Sequence, residues 1–512
     1  MVTATTHVPL DRDVCYRALR TRDARFDGRF YTAVVSTGIY CRPICPARTP
    51  KLENCLFLPS AGAAHQMGFR PCLRCRPEVA PGLAGWRGTA STVSRALGLI
   101  AEGGWGDGGV EELATRLGVG ARHLRRLFER HVGASPVSVA QAHRILFAKK
   151  LIGETTLSMT EIAQASGFGS VRRFNAVFND TYGRAPSELR RSKRVAEESG
   201  PAVVLKLPFS PPYDWRAILE FLGARAIPGV EAADGERYRR TFALAGATGM
   251  LEVCAVPSES HLLAKIHTTD VKALGPVVAR LRRVFDLDAD IAAVDEHLAR
   301  DRILARGVRE RPGIRVPGAW DPFELAVRAV LGQQVSVRAA TTFAGRIVAA
   351  LGRKLPGAAW RDGRDAGAPT MLFPTPAVLA EADLTGIGLT KARAATLNAL
   401  AAACAARPGL LDSGETLEDT LATLCALPGI GPWTAQYIAM RALREPDAFP
   451  ASDLGLLRAM ETKAGRPTPA ALAERAEAWR PWRAYAALRL WMGSAPPAVG
   501  AKVEGPVQYA RA

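Results

Sequence analysis

Four of the nine cysteines fall in two close pairs, Cys41-x3-Cys45 and Cys72-x2-Cys75, separated by 26 residues. Each short pair can grip one cation, and two pairs complete the tetrahedral thiolate shell typical of zinc. A chain with this spacing must fold so that two distant segments meet at one point. The other five cysteines (Cys15, Cys55, Cys254, Cys404, Cys425) are scattered. That pattern predicts one metal site in a reducing compartment rather than a disulfide framework. Spacing alone favours a closed structural zinc site over a reactive one, since structural four-cysteine sites are far commoner. The N-terminal stretch MVTATTHVPLDRDVCY has no basic region followed by an apolar core, so a secretory signal is not expected. No run of about 18 apolar residues occurs, so no membrane partner is expected and the location is expected to be cytoplasmic.

The residues around the pairs narrow the reading. Phe30-Tyr31-Thr-Ala-Val-Val-Ser-Thr-Gly-Ile-Tyr40-Cys41-Arg42-Pro-Ile-Cys45-Pro-Ala-Arg48 and Gly68-Phe69-Arg70-Pro-Cys72-Leu-Arg74-Cys75-Arg76-Pro77 closely resemble the N-terminal domain of the Ada family. That resemblance implies one zinc ion on Cys41, Cys45, Cys72 and Cys75. It also implies that Cys41 irreversibly accepts a methyl group from a methylphosphotriester in DNA. The chemistry is coherent, because zinc keeps the sulfurs as thiolates at neutral pH and no separate base is required. Zinc with four thiolates carries net −2 charge, and methylation removes one negative charge, so affinity for DNA phosphate should rise. Arg42, Arg48, Arg70, Arg74 and Arg76 are candidate phosphate contacts, or simply solvated charge.

A second pattern occurs twice. Val110-Glu-Glu-Leu-Ala-Thr-Arg-Leu-Gly-Val119 and Ala121-Arg-His-Leu-Arg-Arg-Leu-Phe128 read as helix, glycine turn, helix. Met159-Thr-Glu-Ile-Ala-Gln-Ala-Ser-Gly-Phe168 and Ser170-Val-Arg-Arg-Phe-Asn-Ala-Val-Phe178 repeat it. Such pairs place their second helix in a major groove. Residues 121 to 150 hold seven Lys or Arg against one acid, Glu129, which a bundle with a solvated basic face would also show. The layout, including Tyr182-Gly-Arg-Ala-Pro186, resembles the DNA-binding region of AraC-type activators. Arg122, His123, Arg125 and Arg126, with Ser170, Arg172 and Arg173, are the groove-facing candidates.

Further on, Leu427-Pro428-Gly429-Ile430-Gly431-Pro432-Trp433-Thr434-Ala435 reads as a helix-hairpin-helix, in which Gly429 and Gly431 let backbone N–H groups approach a phosphate. Phe449-Pro450-Ala-Ser452-Asp453-Leu-Gly-Leu-Leu-Arg458 follows, where Asp453 by itself suits a helix N-cap. Together, hairpin, spacer and Asp resemble the helix-hairpin-helix glycosylase superfamily. Trp320-Asp-Pro-Phe323 through Leu331-Gly-Gln333-Gln334-Val-Ser336, and Trp479-Arg-Pro-Trp482-Arg-Ala-Tyr485, are similar to 3-methyladenine DNA glycosylase II of the AlkA type. The resemblance covers about 300 residues. It implies Asp453 as the catalytic carboxylate, Gln333 as a substrate contact, and a flipped-out N-alkylpurine as substrate. Trp433 and Tyr437 lie four apart and either stack the cationic base or pack in a core. Trp433 stands where related lyases carry a Schiff-base lysine, so a monofunctional hydrolase is expected. No cysteine cluster follows Asp453, so no iron–sulfur cluster is expected. Where AlkA-type enzymes insert an apolar wedge the chain has Gln334.

At 512 residues the chain exceeds one hydrophobic core. Its texture divides it into an Ada-type zinc domain at 1–85, an AraC-type double helix-turn-helix at 88–194, an antiparallel α+β module at 201–286 and a helical glycosylase domain at 287–497. The fold class is therefore multidomain α+β: small zinc-binding α/β, all-α, antiparallel α+β, all-α. A charged linker is expected at 193–201, a surface loop at 356–370, and a Pro/Gly-rich tail after it all. Sixty-seven Lys and Arg against 49 Asp and Glu give +18, which favours a polyanionic partner or reflects Arg-rich composition. The combined expectation is methylphosphotriester sensing, transcriptional activation and excision of alkylated bases. Nothing resembles the Pro-Cys-His-Arg motif of guanine-O6 methyltransferases. Expected partners are alkylated and promoter double-stranded DNA, and RNA polymerase. Two rival readings are a regulator whose glycosylase-like half only binds DNA, and an enzyme whose N-terminal half only delivers it.

Overall fold

The computed structural model describes residues 11–23, 26–77, 91–103, 105, 108–190, 202–256, 259–356, 367–411, 416–463 and 465–493. The linker expected at 193–201, most of the loop expected at 356–370 and the C-terminal tail lie outside these residues.

The N-terminal region is a four-stranded sheet, β1 (Tyr31–Val34), β2 (Ile39–Cys41), β3 (Cys55–Leu58) and β4 (Arg70–Pro71), in the order β3-β1-β2-β4. Its topology explains how distant cysteines meet. The hairpin β1–β2 is antiparallel, with Thr32 opposite Cys41, whereas β2 and β4 run parallel with Tyr40 opposite Pro71. Cys72 N donates to Tyr40 O at 3.0 Å, so the second pair emerges beside the first. Tyr31, Ala33, Tyr40 and Ala64 form the small core, with the two tyrosine rings edge to face at 5.8 Å.

The two helix-turn-helix units repeat in detail. Their second helices, Ala121–Val132 and Val171–Tyr182, bury Leu124, Phe128 and Val132 in one and Phe174, Phe178 and Tyr182 in the other. That is one face at i, i+4, i+8 spacing. Both end on a left-handed glycine, Gly133 at φ +68° and Gly183 at φ +65°, which terminates the helix without a Cβ clash. The cores differ. The first unit packs on itself, while the second shares its core with the following sheet through Phe147, Ile162 and Phe174.

That following sheet holds β5 (Val203–Pro208), β6 (Glu231–Ala233), β7 (Arg237–Leu244), β8 (Ala247–Ala255) and β9 (His261–Thr268), ordered β5-β9-β8-β7-β6 and antiparallel throughout. After the sheet a 3-10 turn, Val271–Ala273, leads into the helix Leu274–Val284. The described residues that follow are mainly helical, with a two-residue antiparallel pair, Arg353–Lys354 with Met371–Leu372, flanking the loop. Two apolar clusters, one around Phe323, Leu397 and Ile438 and one around Leu456, Trp479 and Tyr485, form the two sides of this region.

One carboxylate ties three of these regions together. Glu154, at the end of the long helix Pro136–Glu154, accepts from Arg76 Nη2 at 3.3 Å, Lys150 Nζ at 2.8 Å and the backbone N of Lys206 in β5 at 3.1 Å. Burial pushes the Lys150 ammonium below its usual range, while Glu154 opposes that shift. Removing the acid strands a cation that is only 6% exposed. Glu154→Ala is therefore expected to cost about 3 kcal/mol, read as a fall in unfolding midpoint; an unchanged midpoint would show the contact to be idle.

Candidate functional site

The four cysteine sulfurs lie within 4.8 Å of one another, and Cys45 and Cys72 Sγ are 3.9 Å apart. Tetrahedral zinc with ligands at about 2.3 Å needs sulfurs about 3.8 Å apart, so the residues fit the ion. Cys45, Cys72 and Cys75 are buried, whereas Cys41 is half-exposed. The backbone N–H of Arg42 donates to Cys75 Sγ at 3.3 Å, and its guanidinium donates to Cys75 O at 3.0 Å and to Asp27. Arg42 is thus a buried strut, and its place among the candidate phosphate contacts is corrected. Arg76 is engaged by Glu154, which leaves Arg48, Arg70 and Arg74 as the exposed cations of that set.

On the second helix of the first unit Arg122, His123, Arg125 and Arg126 are all exposed, as are Arg172 and Arg173 at the matching positions of the second. Arg125 Nη2 donates to Glu111 Oε1 at 2.7 Å, and Arg126 Nη2 stands 3.1 Å from His123 Nδ1. An exposed pair such as Arg125–Glu111 is worth little in water, so its cation can exchange to phosphate. Ser170 caps the helix Val171–Tyr182, its Oγ accepting from Arg173 N at 3.2 Å.

In the C-terminal half a cavity of about 1230 Å³ brings together Gln333, Gln334, Gly429, Gly431, Trp433, Tyr437, Arg441, Asp453 and Trp491. Asp453 caps the helix Leu454–Ala459, and it also holds two indoles. Its Oδ1 accepts from Leu456 N at 3.0 Å and Trp491 Nε1 at 2.8 Å, and its Oδ2 accepts from Trp433 Nε1 at 2.9 Å. Cap and functional carboxylate are one residue, since the cap is what fixes the side chain at the cavity wall. Trp433 and Tyr437 are half-buried and nearly parallel, 11° between planes and 5.6 Å between centroids. Arg441 Nη1 donates to Tyr437 Oη at 2.9 Å. Burial opposes ionisation of that phenol, but Arg441 and Arg225 draw it below its ordinary range.

Gln333 lines the cavity, but its carboxamide nitrogen donates to Gly429 O at 2.9 Å and Thr434 Oγ1 at 3.0 Å, so it braces the hairpin. Gln334 is exposed with φ +56°, a strained backbone for a residue with a Cβ. Trp479 and Tyr485 are scaffold: their polar atoms bond Asp301 at 2.9 Å and Asp286 at 2.8 Å away from the cavity. Trp491, Gly455 and Arg441 belong to the site and no local spacing announces them.

The hairpin glycines are unequal. Gly429 has φ +77°, and a Cβ there would stand 2.1 Å from Thr396 Oγ1, whereas a Cβ on Gly431 meets nothing within 4 Å. Gly429→Ala is expected to destabilise the protein by about 2 kcal/mol or more, and Gly431→Ala by about 0.5 kcal/mol or less. Thermal unfolding of the two variants checks this, and equal midpoints would contradict it.

Comparison with known proteins matches four families: metal binding domain of Ada (14–78), helix-turn-helix domain (113–192), AlkA N-terminal domain (204–321) and HhH-GPD superfamily base excision DNA repair protein (327–484). The chain is 43% identical over 486 residues, 94% of its length and 96% of the relative's, to a Mycobacterium tuberculosis protein described as a probable bifunctional transcriptional activator/DNA repair enzyme AlkA. It is 35% identical over 292 residues to DNA-3-methyladenine glycosylase 2 of Escherichia coli, covering 56% of this chain and 95% of that one. Over 187 residues it is 30% identical to the bifunctional transcriptional activator/DNA repair enzyme AdaA of Bacillus subtilis, covering 36% and 85% respectively.

Proposed function

Because the chain belongs to the family of bifunctional transcriptional activator/DNA repair enzymes that join an Ada-type zinc domain and helix-turn-helix region to an AlkA-type glycosylase, we propose a division of labour among its named residues. The protein senses methylphosphotriesters, activates transcription and excises alkylated bases of the 3-methyladenine type; the residue roles that follow are our reading.

Cys41 is the methyl acceptor, and what supports this is access: it alone of the four ligands is half-exposed. Zinc, held by Cys41, Cys45, Cys72 and Cys75, keeps the sulfurs deprotonated when bound. The Cys41 sulfur attacks the methyl carbon, the carbon–oxygen bond breaks, and the triester leaves as an ordinary phosphodiester anion. The thioether carries no charge, so repulsion from the DNA backbone falls and Arg48, Arg70 and Arg74 can engage phosphates. Exposed Arg122, His123, Arg125, Arg126, Arg172 and Arg173 then read or grip promoter DNA, with RNA polymerase as the protein partner. Among the described residues no helix is long and apolar enough to cross a membrane.

In the glycosylase half the flipped base stacks on Trp433 and Tyr437, whose electron-rich faces attract a cationic N-alkylpurine. Gly429 and Gly431 bring the hairpin's backbone to a phosphate, and Gln333 holds that hairpin to the cavity. Gln334, on its strained exposed turn, takes the place of the wedge. The glycosidic bond breaks with its electron pair leaving on the base. Asp453 stabilises the positive charge that develops on the sugar until water adds to the anomeric carbon, and it orients that water and takes up the proton it loses. The observation that carries this reading is the pair of indole N–H groups converging on Asp453 at the cavity wall. Incubation with N-methylated duplex tests it: free 3-methyladenine and an un-nicked abasic strand are expected, and DNA binding without base release would leave only the regulator reading.

A further inference from the structure

We propose that Arg76 is a latched DNA contact: in the unmethylated protein Glu154 holds its guanidinium, and methyl loading of the zinc site releases it to a DNA phosphate. The proposal rests on the reading of Cys41 as the methyl acceptor.

Two of the ligand cysteines, Cys41 and Cys75, are followed directly by arginine, and the two arginines differ. The Arg42 side chain is 10% exposed and fixed by Asp27. The Arg76 side chain is 41% exposed, while that of its partner Glu154 is 9% exposed, and their contact spans 3.3 Å from Nη2 to Oε1. A pair so open to water is weak, so a phosphate arriving from solvent can compete for the cation. Departure of Arg76 strands no charge, because Glu154 keeps Lys150 Nζ at 2.8 Å and Lys206 N at 3.1 Å. The backbone of Arg76 is also held against its preference, at φ +53°, in the left-handed region that residues with a Cβ avoid. Exposure, a weak partner and a strained backbone meet in one residue, as a side chain with two alternative partners requires.

The charge of the zinc site supplies the bias. Four thiolates outweigh the charge of one zinc ion, so the unmethylated site repels phosphate from the residue next to Cys75, and Glu154 keeps the cation. Methylation of Cys41 removes one negative charge, and the cost of bringing a phosphate beside Arg76 falls with it. The zinc domain does not have to undock, since the contacts of Ser60 with Val132 and of Gln66 with Ser135 do not involve Arg76.

The glycosylase half supplies part of the latch. β5 lies at the edge of its sheet, where outward backbone groups have no neighbouring strand. There Glu154 accepts from Lys206 N and Lys150 donates to Lys206 O, so the helix Pro136–Glu154 pairs both backbone groups of one edge residue. The carboxylate that holds Arg76 is thereby positioned by the excision half of the chain.

The test compares the full-length protein before and after loading with methylphosphotriester DNA, with the methyl group on Cys41 verified by mass. Affinity for a short unmodified duplex of mixed sequence is measured over a range of salt concentrations. Loaded Arg76→Gln is expected to bind about tenfold more weakly than loaded parent, with a salt slope lower by about one. Before loading its deficit should be about twofold or less, because Glu154 already occupies the cation. Glu154→Gln keeps an oxygen for Lys150 and Lys206 N but loses the charge, and should bind about three- to fivefold more tightly than parent before loading. That gain should vanish when Arg76→Gln is added. A gain that survives in the double variant comes from net charge alone and overturns the latch. Equal weakening of both states by Arg76→Gln would make Arg76 a constant contact, and no weakening of either would make it structural; each result overturns the proposal. Should Glu154→Gln fail to fold, the two states of Arg76→Gln decide alone. If Cys41 takes up no methyl group, the sensor reading fails, and the unmethylated single and double variants still judge the latch.

Discussion

Asp453→Asn is expected to release 3-methyladenine on the order of a thousand times more slowly than the parent protein while binding duplex DNA as tightly. The substitution is nearly isosteric, and its carboxamide oxygen can still cap Leu454–Ala459 or accept one indole. What it removes is the negative charge beside the sugar. An N-alkylated purine already carries positive charge and leaves readily, so little of the barrier lies in protonating the base. The sugar's developing positive charge is what the site must stabilise, and Asp453 is the cavity-lining acid that is hydrogen-bonded to Trp433. In the proposed division of roles DNA grip rests elsewhere, on the Gly429–Gly431 hairpin, so affinity should persist. A variant releasing base at the parent rate would remove Asp453 from the mechanism.

Cys41→Ser is expected to abolish methyl uptake completely, because the reaction is stoichiometric and a serine hydroxyl at neutral pH is a poor nucleophile. The domain should still fold. Cys45, Cys72 and Cys75 remain, the β1–β2 hairpin is unchanged, and the sheet region stays anchored: Ser60 Oγ donates to Val132 O at 2.9 Å, and Ser135 N donates to Gln66 Oε1 at 2.7 Å. Base excision, which uses a separate cavity, should continue. Labelled methylphosphotriester DNA and mass analysis of the peptide containing Cys41 check this, and label on the variant would reassign the acceptor.

The parts legible in the sequence are those whose chemistry is carried by short spacings. Two cysteine pairs, two helix–glycine–helix repeats and the hairpin followed twenty residues later by Asp453 each sit within one local segment. The structure brings the members of each set together. The sequence leaves Trp433 and Tyr437 open between stacking and core packing, and both are half-buried: they line the cavity, and Tyr437 also packs against the apolar clusters. What stayed hidden depends on contacts between distant segments. Arg42 sits among exposed arginines in the sequence, yet Asp27 and Cys75 O bury it. Trp491 reaches Asp453 across 38 residues and Glu154 meets Arg76 across 78. No periodicity encodes those distances. Gln333, expected at the substrate, lines the cavity, and its amide nitrogen also donates to Gly429 O and Thr434 Oγ1 across about a hundred residues, a brace that no local pattern shows.

The most direct measurement is a single incubation of the intact chain with methylated duplex DNA, followed by mass analysis of the protein and of the small molecules released. One methyl group on Cys41 together with free 3-methyladenine is the predicted result. An unmodified Cys41, or no released base, would contradict the joining of sensor and glycosylase in this one protein.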